Sequence, residues 1–153
     1  RVVVVRDAAA TEQFLPQAPT VVEMVSRGVT RLTGQTDVAA AWRSLVSTQD
    51  VVGIKVMSRP GPISGTRPEV VAAVVQGLKG AGVPAAQIVV WDMRLEDLRA
   101  AGYCELAERH GIRVAGSVES GWDESVFLER PLLGALVRTP AGRWPPGTWC
   151  PTA

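Results

Sequence analysis

Four short β-branched runs, separated by segments of helical period, constrain what this chain can fold into. The runs are VVVV at residues 2–5, VVGIKV at 51–56, IVVWD at 88–92 and IRVAG at 112–116. They are apolar without alternation, which suits strands buried on both faces of a parallel sheet. Helical patterns cover residues 20–33, 37–46, 68–81 and 95–110, the last with a break at Gly102. Strand and helix alternate, the signature of right-handed βαβ units. The expectation is an α/β fold: three layers, with a mainly parallel, doubly wound sheet and helices on both faces.

Local signals set the limits of these elements. Thr66, Arg67, Pro68 and Glu69 fit a capping box, with Thr66 closing the first free N–H groups and Pro68 tolerated in the first turn. Gly82 and Gly111 stand where helices stop. Beyond Gly116 the pattern weakens to a short helix and an edge strand at 132–138, preceded by a proline. Residues 1–140 thus read as one domain and residues 141–153 as an extended arm rich in tryptophan and proline.

Composition excludes several function classes. Sixteen basic residues face fifteen acidic ones with no run of like charge, so the electrostatic footprint of a nucleic-acid binder is missing. No apolar run approaches the roughly 20 residues that span a bilayer. Cys104 and Cys150 lack the paired spacing of zinc or iron–sulfur ligands, and the single histidine, His110, falls in the last turn of a helical pattern. No metal and no cofactor is expected. The cysteines read as unpaired thiols, with Cys104 packed in a helix; one bridge in an oxidising compartment is the alternative.

In open α/β sheets, ligands bind beyond the carboxyl ends of the strands. Lys55, Ser58, Thr66, Arg67, Asp92 and Arg94 all fall there, and together they make a mixed-charge cleft suited to an anion. Neither nucleotide-binding glycine fingerprint is present. Turn chemistry alone accounts for the loop 58–65. Lys55, placed in a strand, needs a carboxylate, and Asp92 at the end of another strand supplies one. No nucleophile, base and orienting group assemble into a catalytic set, so no catalytic residue is assigned.

VVGIKV, the segment TRPEVVAAVVQGLKGAGVP and the strand IVVWD resemble the domain-of-unknown-function 362 family of bacterial α/β proteins, in order and spacing over residues 2–138. Many members carry a twin-arginine export signal, so the resemblance implies a periplasmic protein whose signal lay upstream of Arg1. Similar members read GIKVN and begin the following helix with an STHP-like segment. Here Met57 stands at the asparagine position and Arg67 at the histidine position. Members also commonly continue into a second half that this sequence does not contain. A cleft altered at two positions favours a non-catalytic accessory subunit docking on a larger envelope complex, of an electron-transport or photosynthetic kind. Other protein subunits are then its partners, through Arg143, Trp144, Pro145, Pro146 and Trp149 of the arm. The alternative is a small-molecule or anion-binding, redox-associated enzyme of the same family.

Overall fold

A computed structural model describes residues 2–121. The expected edge strand at 132–138, the arm and its candidate contacts Arg143, Trp144, Pro145, Pro146 and Trp149 lie outside the described residues.

The fold is α/β, a parallel sheet flanked by helices. Its strands are β3 (Val52–Lys55), β4 (Ile88–Asp92) and β5 (Arg113–Gly116), side by side in chain order. The register pairs Lys55 with Trp91 and Asp92 with Gly116, so the three strands end together at one edge. Before them come a two-stranded hairpin, β1 (Thr11–Glu12) and β2 (Leu15–Pro16), and helices α1 (Ala18–Thr33) and α2 (Val38–Arg43). The turn α3 (Gly61–Ser64) and helix α4 (Pro68–Gly80) link β3 to β4. Helices α5 (Leu95–Ala100) and α6 (Tyr103–His110) link β4 to β5, and α7 (Ser117–Ser120) follows. Gly102 at the α5–α6 break and Gly111 after α6 both hold left-handed backbone, the conformation expected of helix-ending glycines.

Period-2 alternation turns Ile88 and Val90 of β4 toward the core. There they meet Val75 and Leu78 of α4, Leu98 of α5 and Tyr103 and Leu106 of α6, all essentially without solvent exposure. Helix α1 packs against α4, and Trp42 of α2 is half-buried against the same core. Each fully buried aliphatic side chain in such a cluster contributes about 1.5–3 kcal/mol.

Three expectations are corrected. Residues 2–5 form no strand: Val2 and Val4 are exposed, and Val5 packs by Gly28 of α1 rather than pairing with β3. Alternate valines give that segment one apolar side, Val3 and Val5, which is half-buried. Cys104 is not a thiol but carries a disulfide bond. Thr66 caps no helix; α4 starts at Pro68 with Arg67 at the cap position and no side chain bonding there.

Candidate functional site

The carboxyl ends of β3 and β4 bring together three of the six residues expected to bind a ligand. Lys55 shares a sheet face with Trp91, its ammonium 5.6 Å from the indole centroid. Its four-carbon stem then carries the ammonium past the strand end, to Asp92 Oδ1 at 2.7 Å and to the Val56 carbonyl. The other carboxylate oxygen, Oδ2, accepts from the Ser58 amide at 2.8 Å and the Ser58 hydroxyl at 2.6 Å. The Lys55–Asp92 pair is thus present as the strand ends require, but it is not a buried pair. The Lys55 side chain is 52% exposed and that of Asp92 12%. As the outer strand among the described residues, β3 leaves the lysine stem open to water.

Burial pushes the Asp92 carboxyl up. Hydrogen bonds from Lys55, from the Ser58 hydroxyl and from the Ser58 and Met93 amides outweigh it and hold the pKa at about 2. The carboxylate is therefore fully ionised and saturated with donors. Ser58 is 1% exposed, and its hydroxyl proton is committed to Asp92. It has neither access to a substrate nor a base to activate it.

Thr66 works at one remove from this cluster. Its hydroxyl accepts from the Met57 amide at 3.0 Å, its own amide donates to the Met57 carbonyl at 2.9 Å, and the two bonds close the loop 57–66. The Tyr103 hydroxyl donates to the Thr66 carbonyl at 2.6 Å, tying the loop to α6. Burial, with Glu69 and Asp92 nearby, pushes the Tyr103 phenol up to about 12, so this donor keeps its proton. Gly65 makes the closure possible. A Cβ there would lie 2.3 Å from the Met57 carbonyl oxygen and 2.7 Å from that of Gly61.

Arg67 and Arg94 do not join the cluster. Arg67 donates through Nη1 to the Pro62 carbonyl at 3.0 Å and turns toward a groove beside α1. Arg94 stands exposed at the start of α5, whose first amide, Leu95 N–H, is capped by Glu119 at 3.1 Å. Burial and the cations Lys79 and Arg109 push the His110 pKa down. Lys79 donates to the His110 carbonyl at 2.9 Å and places its charge at the end of α6. Among the described residues no three His, Cys, Asp or Glu side chains are placed to hold a metal ion, and no helix is long and apolar enough to cross a membrane.

Sequence reasoning missed the exposed apolar residues on the segments that follow the strands. Met57 and Ile63 in the segment after β3, Met93 after β4 and Val118 after β5 each have more than half their surface open to solvent. The Val118 amide donates to the Met93 carbonyl at 2.9 Å, so two of these loops are joined. For Met57, Met93 and Val118 the signal was available as apolar residues within two positions of strands that end in register; Ile63 in the α3 turn gave no such signal.

Comparison with protein-family models, with curated proteins and with solved structures returns no match for this chain.

Proposed function

We propose that this chain is a non-catalytic accessory protein that docks on a partner subunit of a larger envelope complex through the carboxyl edge of its sheet. The observation that supports this reading is the contrast at that edge: a polar cluster with its bonding groups matched internally, and exposed Met57, Ile63, Met93 and Val118 on the segments that follow the three strands. Apolar side chains gathered at one surface mark interaction sites, and methionine adapts to irregular partners. Arg59 and Arg94 stand exposed on the same loops and form no ion pair with the described residues. The partner surface that fits is apolar with carboxylates at its rim. Export to the periplasm, and membership of the family the sequence resembles, belong to the same proposal and rest on the resemblance.

The test is recovery of the tagged full chain from its own host. The expected result is a stoichiometric partner in the periplasmic fraction, retained by Lys55→Met and lost, by tenfold or more in affinity, with Met93→Asp or Ile63→Asp. A chain that sediments alone in host extract, or a Met93→Asp variant that keeps its partner, contradicts the proposal.

A further inference from the structure

A second surface, distinct from the strand ends, is shaped for a small molecule. The β1–β2 hairpin stands beside α1 and the first turn of α4, and between them lies a groove of about 320 Å³. Its walls include Thr11 and Pro16 of the hairpin, Val21, Met24 and Val25 of α1, and Val70 of α4; among the described residues the one charged group lining it is Arg67. That volume is at the lower end of the range for small-molecule sites, roughly 300–1,000 Å³. We infer that the groove binds a small amphiphilic carboxylate, an apolar body ending in one anionic group that Arg67 receives.

The chemistry of the walls selects this class. Apart from the Thr11 hydroxyl at the hairpin, these walls are aliphatic or thioether and offer a ligand body few hydrogen bonds, so a sugar or a nucleotide would lose most of its hydration there without compensation. Arg67 presents a rigid fork matched to a carboxylate. Its Nη1 is engaged by the Pro62 carbonyl, which fixes the side chain, and no carboxylate among the described residues pairs with it. Arg67 also occupies the cap position of α4, whose partial positive charge adds to its own. Glu69, the acidic residue of the first turn, does not line the groove, and its charge is felt at Tyr103.

The hairpin wall is held in a definite shape. Gln13 and Phe14 both take positive φ, 49° and 67°, the mirror-image turn that two-residue hairpins use, and the Gln17 amide closes the hairpin base on the Ala10 carbonyl at 2.8 Å. Phe14 and Leu15 at its tip are exposed and extend the apolar surface of the hairpin.

The experiment is a titration of the full chain, methyl-labelled, with decanoate and with octan-1-ol, followed by NMR. The expected result is saturable one-to-one shifts at the methyl groups of Val21, Met24, Val25 and Val70, with Val75 and Val90 unmoved. Arg67→Gln is expected to weaken decanoate about tenfold, the loss of one charge-assisted contact, and to leave octan-1-ol within about twofold. Met24→Trp, which fills the groove, is expected to abolish both while the remaining methyl spectrum stays dispersed. Three results overturn the inference: no saturable shift at millimolar decanoate, parent-like decanoate affinity in folded Arg67→Gln, or contacts in the free chain between these methyl groups and residues 122–153, which would make the chain its own occupant. Met24→Trp lies on α1, away from the docking edge, so failure of that variant leaves the accessory role standing.

Discussion

The strand ends and the groove beside α1 are built on opposite terms. At the strand ends, Lys55, Ser58 and Asp92 are charged or polar, and their bonding groups find one another inside the protein. In the groove, Val21, Val25 and Val70 leave an apolar hollow, and Arg67, the single charged group there among the described residues, bonds to the Pro62 carbonyl with no carboxylate of those residues beside it. A constellation that looks chemical in sequence is thus a fastening, and a set of ordinary aliphatic residues makes the surface with unfilled capacity. Richness in polar residues does not mark a site; unmatched bonding or packing capacity does.

The comparison breaks most visibly at the loop that the fastening holds. Gly65→Ala places a methyl group against the Met57 and Gly61 carbonyls, and both are backbone atoms with little freedom to withdraw. A loss of about 3 kcal/mol in urea unfolding is expected, at the upper end for overpacking, and parent stability would show that the loop is not held as described.

Asp92 comes next. Its folded pKa of about 2 lies below its ordinary 3.8, so its contribution is fully present above pH 3.8 and is lost as pH falls through about 2. That difference is worth about 2 kcal/mol, and Asp92→Asn should both lower stability at pH 7 by about this amount and remove that part of the acid dependence. Identical pH profiles for parent and variant, measured by denaturant unfolding from pH 2 to 7, would refute the carboxylate's structural role.

Lys55→Met is a smaller change. The side chain is half exposed and its ion pair is screened, so about 1 kcal/mol is expected, decreasing with added salt. Smallest of all are Met93→Asp and Ile63→Asp, exposed positions where stability should stay within about 0.5 kcal/mol by thermal unfolding. A larger loss would mean that these side chains serve the fold.

The legibility of the sequence follows the same division. β4 and the break at Gly102 could be read because they depend on local period and on glycine, and Lys55 with Asp92 because parallel strands ending in register bring their last residues together. The capping box at Thr66 was misread because its pattern is local, whereas the hydroxyl is claimed by Met57, nine residues earlier. The hairpin at Thr11 to Pro16 was not foreseen, since Gln13 and Phe14 hold a turn usually signalled by Asn-Gly. The groove was invisible because its walls come from three elements distant in sequence and carry no motif.

The most direct test of the central claim, that the strand-end cluster fastens the fold while apolar surfaces do the binding, is the partner content of Lys55→Met purified from its host, measured beside its urea midpoint. The account predicts a modestly lowered midpoint with the partner retained at parent stoichiometry. A parent-like midpoint with the partner lost would make Lys55 a working residue and contradict it.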